Sequence, residues 1–265
     1  MATIVIPARW GSTRYEGKPL APVRGARGEA KSLIRRSFEA AQAVPGDHEI
    51  VVATDDARIA DAVNAFGGKA TMTPSECRNG TERVAALAGE TGDGDAIFVN
   101  FQGDALLTPP DAVSALIAHI EGDDSCAAAT VALPCSPGTY RHLVEDQDAG
   151  RVGGTTVVVD ANGRALYFSK RILPYIPPGS PLEDQPPVLL HLGLYAYRRS
   201  ALVRYATQAP GRLEEIEGLE QLRFLHHGMA MHVVTCPQPA WDSIELNNPT
   251  DLPAIEAVLK QRGIA

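Results

Sequence analysis

The sequence predicts an α/β fold, a βαβ sheet covered by helices that carries a β-rich insertion in its second half. Three observations predict it. Short apolar runs alternate with amphipathic helical stretches up to about residue 125. Strand-like runs dominate after Ala127. No repeat with a period of roughly 20–50 residues exists, which excludes solenoids and propellers. The 265 residues are 45% hydrophobic and 21% charged, a globular composition read here as one domain, residues 1–265, in two halves that meet near residue 125.

Taken in order, Ile4–Pro7 is a short buried strand that runs into a loop rich in Gly and Arg. Ser32–Ala43 has apolar residues at helical spacing, Glu49–Thr54 is a strand, Ala57–Phe66 a helix, Lys69–Met72 a strand, Asn79–Ala88 a helix and Ala96–Phe101 a strand. Pro109-Pro110 opens a helix over Asp111–Ile120. The strands of the second half are Ala127–Leu133, Thr155–Asp160, Ala165–Ser169, His191–Tyr197 and Met231–Thr235, and Asp160-Ala-Asn-Gly163 is a hairpin turn. The proline-rich segment Pro174–Pro187 cannot supply a ladder and reads as a surface loop or an intersubunit excursion. Glu214–Leu225 reads as a helix with Glu214, Glu215 and Glu220 on a solvated face, and His226-His227 suits its C-terminal dipole.

Charge narrows the function. The net charge is −8, which argues against a nucleic-acid binder, since such proteins need a basic footprint. Yet Arg9, Arg14, Lys18, Arg24 and Arg27 face only Glu16 between Met1 and Gly28, a local surplus of +4. No apolar run reaches the roughly 18 residues of a membrane span and no signal-peptide pattern opens the chain, so a cytoplasmic location is expected. Cys77, Cys126, Cys135 and Cys236 show no C-x-x-C spacing, and the histidines no H-x-x-x-H or H-E-x-x-H pattern. Neither a disulfide framework nor a structural zinc site is expected.

The opening Pro7-Ala-Arg-Trp-Gly-Ser-Thr-Arg-Tyr-Glu-Gly-Lys-Pro-Leu20 places a strand before a loop with Gly11, Ser12, Arg14, Gly17 and Lys18. Glycine lets backbone N–H groups approach an anion, and the arginines and lysine supply charge for phosphates. It is neither a Walker A loop nor G-x-G-x-x-G. Six further stretches follow: Val52-Ala-Thr-Asp55, Gly80-Thr-Glu-Arg83, Asn100-Phe-Gln-Gly-Asp104, Ala165-Leu-Tyr-Phe-Ser169, His191-Leu-Gly-Leu-Tyr195 and Glu217-Gly-Leu-Glu-Gln-Leu-Arg223. In this order the motifs resemble the CTP:3-deoxy-manno-octulosonate (Kdo) cytidylyltransferase family, and they run through most of the chain.

The resemblance implies a Mg²⁺-dependent nucleotidyltransferase of Rossmann-like α/β fold, a mixed, mostly parallel sheet covered by helices with a β-rich dimerisation insertion, acting as a homodimer that transfers CMP from CTP to an acidic acceptor. Such transfers rest on positioning and charge stabilisation. Residue by residue, Arg9, Ser12, Arg14 and Lys18 match the triphosphate loop, with Lys18, Arg14 and Asp104 as the catalytic set. Pro7, Ala8, Thr73, Arg78, Asn79 and Gln102 match the cytosine and nucleotide pocket. Asp104 and Asn247 match the metal ligands, and His191, Tyr195, Glu217 and Gln221, together with Lys170, match the acceptor site. No nucleic acid and no membrane is expected as a partner.

The chain departs from the family pattern in four places. Asn247 stands where the family has a metal-binding Asp, which removes one negative charge; Asp242 or Glu245 could compensate. Ala105-Leu106 replace Glu-Pro, Thr156 replaces a lysine and Lys170 an arginine, so polar contacts to a polyol are fewer. These losses point to a small phosphonate such as phosphonoformate as acceptor, with Kdo as the alternative. A non-catalytic CTP-binding relative and a transferase using UTP or dTTP are lesser readings.

Overall fold

The computed structural model describes residues 1–11, 15–90, 92, 96–177, 179–180, 186–241 and 243–265. Its central sheet begins with β1 (Ala2–Ala8), which pairs in parallel with β4 (Glu49–Thr54) on one side and β6 (Ile97–Phe101) on the other. Beyond β4 lies β5 (Lys69–Met72), also parallel. A small antiparallel ribbon, β2 (Pro22–Arg24) with β3 (Ala30–Ser32), precedes the first helix. β1, β6 and most of β4 are buried on both faces, which explains their continuous apolar runs.

The sheet continues through β10 (Leu189–Arg198), antiparallel to both β6 and β7 (Ala128–Pro134), and ends at β11 (His232–Thr235), parallel to β7. β8 (Thr156–Val159) pairs with the start of β10 and carries β9 (Ala165–Ser169) as a hairpin. The Asp160–Gly163 turn forms as expected: Asp160 accepts from the Asn162 and Arg164 N–H groups, and Gly163 supplies φ 75°.

Helices α1 (Leu33–Gln42), α2 (Ala57–Ala65), α3 (Gly80–Gly89) and α4 (Pro110–Gly122) cover the first half. Side-chain caps fix two of their starts. Asp56 accepts from Arg58 N–H, and Asn79 accepts from Glu82 N–H. The second half is less purely β than the sequence suggests. It also holds α5 (Pro137–Asp148), α6 (Arg199–Ala206), α7 (Arg212–Glu217), α8 (Leu222–His226) and α9 (Leu252–Gln261). The helix expected over Glu214–Leu225 is broken, because Gly218 takes the left-handed conformation at φ 61° and caps α7.

Candidate active site

The parallel strands β1 and β6 end side by side, where ligands of open α/β sheets bind. Two glycines bring the flanking segments close. A Cβ on Gly103 would lie 2.6 Å from the Pro7 carbonyl oxygen, and one on Gly80 would lie 3.2 Å from Asn100 Nδ2. The start of α3 therefore sits against the ends of both strands.

Above this junction opens a cleft of about 680 Å³. Pro7, Ala8, Arg9 and Lys18 line it from the first strand and its loop, Arg78 and Asn79 from the start of α3, Gln102 and Asp104 from the end of β6, and Tyr195 and Gln221 from the second half. Ser12 and Arg14 lie outside the described residues, as does Asp242. Gly17, at φ 66° and packed on the Trp10 ring, turns the loop so that Lys18 opens a short 3₁₀ turn, Lys18–Leu20. From there Lys18 Nζ donates to Asp104 Oδ2 at 2.5 Å in a partly buried ion pair. The Leu246 N–H donates to the Asp104 carbonyl oxygen at 3.2 Å and thereby sets Asn247 beside that strand end. Asn247 N–H in turn donates to Asp251 Oδ2 at 2.9 Å.

Other expected nucleotide contacts already have partners within the chain. Asn79 is spent as the α3 cap, and its Nδ2 donates to Tyr205 Oη at 3.1 Å. Arg78 pairs with Glu82 at 2.7 Å. Thr73 does not line the cleft; its hydroxyl accepts from Arg83 and donates to the Thr54 carbonyl.

The acceptor set divides. Tyr195 and Gln221 face the cleft and bond each other, Tyr195 Oη donating to Gln221 Oε1 at 3.2 Å. Gln221 Nε2 is buried with no hydrogen-bond partner among the described residues, as is Asn100 Nδ2 behind Gln102. Burial lifts the Tyr195 hydroxyl well above its ordinary range, so it stays a donor. Lys170 stands at the rim, its Nζ close enough that a Cβ on Gly218 would lie 3.0 Å away.

Two of the expected acceptor residues stand apart from the cleft lining. Glu217 does not face the cleft, because Ser169 Oγ at 2.8 Å, the Lys170 N–H at 3.0 Å and Tyr167 Oη at 3.4 Å all donate to its carboxylate, which fastens α7 to the end of β9. His191 lies behind Tyr195 instead of lining the cleft. Thr130 gives its hydroxyl proton to the Leu194 carbonyl, so it must accept from His191 Nε2–H at 2.9 Å. Burial drives the imidazole pKa down to about 3, so the ring is neutral and props Tyr195.

Sequence reasoning missed a buried charge lattice in the cleft wall. Arg223, 1% exposed, grips Glu214 with two N–H groups at 2.8 and 2.5 Å and reaches Glu82 at 2.9 Å. Burial opposes its charge, but the bonds to Glu214 and Glu82 prevail and raise its pKa. Arg83 similarly holds Asp55 at 2.8 Å. Glu220 accepts from Thr81 N–H at 3.0 Å, yet burial pushes its carboxyl up to about 7. Glu214 and Glu220 are thus wall and floor of the site, not a solvated face. Glu220 and Arg223 stand three residues apart, a spacing that ordinarily reads as a solvated same-face pair, so the sequence carried no signal of their burial.

Comparison with known proteins agrees with this geometry. The family model for cytidylyltransferase matches residues 3–231. The chain is 39% identical over 259 residues to a 3-deoxy-manno-octulosonate cytidylyltransferase of Maricaulis maris, covering 98% of this chain and 97% of that protein. The enzyme of the same name from Chlamydia abortus is 40% identical over 255 residues, covering 96% and 92%. An 8-amino-3,8-dideoxy-manno-octulosonate cytidylyltransferase of Shewanella woodyi is 39% identical over 261 residues, covering 97% and 98%. The solved structure of CMP:2-keto-3-deoxy-manno-octonic acid synthetase complexed with CTP superimposes with a TM-score of 0.82 at 33% identity, covering 98% of this chain and 99% of that one. The family-model match over residues 3–231, with relatives of about 39% identity over nearly the whole chain, places the chain in the cytidylyltransferase family, as a nucleotidyltransferase of the CMP-Kdo synthetase-like group.

Proposed function

We propose that this enzyme transfers CMP from CTP to Kdo, releasing pyrophosphate. One observation carries the reading: the first-strand loop, the Lys18–Asp104 pair and the Tyr195–Gln221 pair converge on one cleft of about 680 Å³, within the range of known ligand pockets. The acceptor oxygen attacks the α-phosphorus and the bond to the bridging oxygen breaks. Lys18, a mobile point charge, stabilises the charge that builds on the leaving pyrophosphate. Arg14 is proposed beside it on the motif alone.

Two of the departures that favoured a small phosphonate lie away from the cleft. Thr156 is buried, and its hydroxyl ties the loop after β9 by donating to the Arg171 carbonyl at 2.6 Å and accepting from Leu173 N–H. Ala105 and Leu106 are buried, and Leu106 packs in the apolar cluster beneath α9. None of these three side chains lines the cleft. The relatives named above carry sugar-acid names, and nothing supports phosphonoformate.

Mg²⁺ fits the donor set, since Asp104 offers a carboxylate and Asn247 an amide oxygen, both suited to a hard cation. When bound there, such an ion supplies neutralising charge for the phosphates. A homodimer is supported by exposed Leu166 on β9 and Ile216 on α7, apolar side chains on two elements joined by Glu217.

Pyrophosphate release with four nucleoside triphosphates crossed against Kdo, its 8-amino analogue, sialic acid and phosphonoformate tests the reading. Turnover is expected with CTP and Kdo. Turnover with phosphonoformate alone, or with no pair, sinks it. Lys18→Ala should lower kcat by about 100-fold or more with an unchanged Tm.

A further inference from the structure

At the opposite edge of the sheet from the cleft, three side chains from separate elements converge. β7 and β11 run in the same direction as β6, so their N-terminal ends lie away from the site. His119 is in the last turns of α4, Cys126 precedes β7 and His232 opens β11. His119 Nε2 faces His232 Nδ1 at 3.1 Å, and Cys126 Sγ lies within 4.8 Å of a ring nitrogen of each histidine. Cys126 and His232 are buried and His119 partly so.

We propose that His119, Cys126 and His232 form a zinc(II) site that clips α4 and the β7 start to the edge strand β11. The donors are the soft and borderline atoms that zinc takes, and three of them suffice when water fills the fourth position. The spacing fits. With Zn–N near 2.0–2.1 Å and Zn–S near 2.3 Å, a tetrahedral ion holds two nitrogens roughly 3.3 Å apart and nitrogen and sulfur roughly 3.6 Å apart. The two imidazoles need to part by about two tenths of an ångström, and the thiol to move in by up to about 1.2 Å.

Binding replaces the His119–His232 hydrogen bond. The shared proton moves to the outer nitrogen of its ring, and Cys126 gives up its thiol proton to solvent as sulfur bonds the ion. Burial holds the free thiol up at about 11, so the ion must supply the charge that stabilises the thiolate. The neighbouring charges are mixed: the Asp123 and Asp160 carboxylates favour positive charge at His232 and Arg164 opposes it, while Arg198 donates to the Ile120, Asp123 and Cys126 carbonyls and pairs with the exposed Asp124, so the site rests on its donor geometry and not on a favourable field. Sequence spacing could not reveal the site, because His232 lies 113 residues beyond His119.

The test uses the full chain, stripped with chelator and free of nucleotide. Zinc is titrated against a chromophoric chelator, and cobalt(II) is added as a spectroscopic substitute. One tight zinc per chain is expected, with the intense d–d bands of tetrahedral cobalt and a sulfur-to-cobalt charge-transfer band. Cys126→Ser should abolish that band and weaken zinc by about 100-fold or more, above what loss of a supporting residue costs, and His119→Gln should weaken zinc comparably. Cys135→Ser should leave the band in place. An octahedral cobalt spectrum without the sulfur band in the wild-type chain overturns the proposal, whatever the variants do. So does stoichiometric zinc that survives Cys126→Ser with His119→Gln, or a sulfur band that disappears with Cys135.

Discussion

Replacing Glu220 by Gln should stabilise the protein, and by an amount that depends on pH. The carboxyl of Glu220 has an ordinary value of 4.5 and is pushed up to about 7 by burial. Its one backbone donor, Thr81 N–H, does not offset the loss of water. Between pH 4.5 and 7 the folded chain therefore keeps a proton that the unfolded chain has released. Unfolding releases that proton, so stability falls as pH rises through this window. The contribution is complete below 4.5, and above 7 the full penalty of roughly 3 kcal/mol remains, at 1.36 kcal/mol per pKa unit. Glutamine mimics the protonated acid, since its carbonyl accepts from Thr81 and its NH₂ replaces the acid O–H. Urea or thermal unfolding of both proteins between pH 4 and 8.5 measures the difference. The two should coincide at the acid end, and E220Q should gain about 3 kcal/mol at pH 8, or roughly 6 °C or more in Tm. A variant no more stable than wild type at pH 8, or an advantage equal at every pH, refutes a buried carboxyl there.

Three further outcomes follow from the same structure. Arg223→Met strands Glu214 in the wall and removes one partner of Glu82, and should cost about 3–5 kcal/mol by denaturant unfolding; Arg223→Lys should recover little, because a point charge cannot reproduce the two-pronged grip. Gly103→Ala forces a Cβ within 2.6 Å of a backbone oxygen and should cost about 1–3 kcal/mol together with much of kcat, whereas Gly89→Ala, with open space at its Cβ, should be neutral or mildly stabilising. His191 is held neutral in the fold down to about pH 3. The unfolded chain takes up that proton below about 6.5, so stability falls on acidification, by about 2 kcal/mol at pH 5, and His191→Asn should flatten that slope.

Much of the fold is legible because short apolar or β-branched runs bounded by turn residues mark strands in either direction. The spacing gives Glu49–Thr54, Lys69–Met72 and Ala165–Ser169 with the same limits as β4, β5 and β9. α5 was missed because its residues are mostly polar, although Ser136-Pro137 is a proper start and Ser136 accepts from Thr139 N–H. The break at Gly218 was hidden by helical spacing that continues across it, and an isolated glycine was the only warning. In the site, motifs identify which segments meet but not which way a side chain turns. Glu217 and Gln221 belong to one motif, yet Gly218 rotates the chain between them, so that one binds β9 and the other faces the cleft.

The same distinction resolves how a chain of net charge −8 can hold a triphosphate. Counting charges around the cleft suggests a mixed and nearly neutral surface, but burial sorts them. Arg83 and Arg223 are spent inward on Asp55 and on Glu214 and Glu82, and Glu220 holds its proton up to about pH 7. What remains at the strand ends is Lys18 against Asp104, with Arg9 exposed at the rim and bearing no ion pair among the described residues. A pair of that kind is compensated while alone. If a phosphate took Lys18 without a cation on Asp104, or a cation took Asp104 without a phosphate on Lys18, one partly buried charge would lose its partner, and such a loss costs more than an exposed pair contributes. On the proposed function, nucleotide and cation each remove the penalty that the other incurs. Asn247, neutral where the family has an acid, deepens that dependence by leaving Asp104 the one carboxylate of the proposed metal-ligand pair.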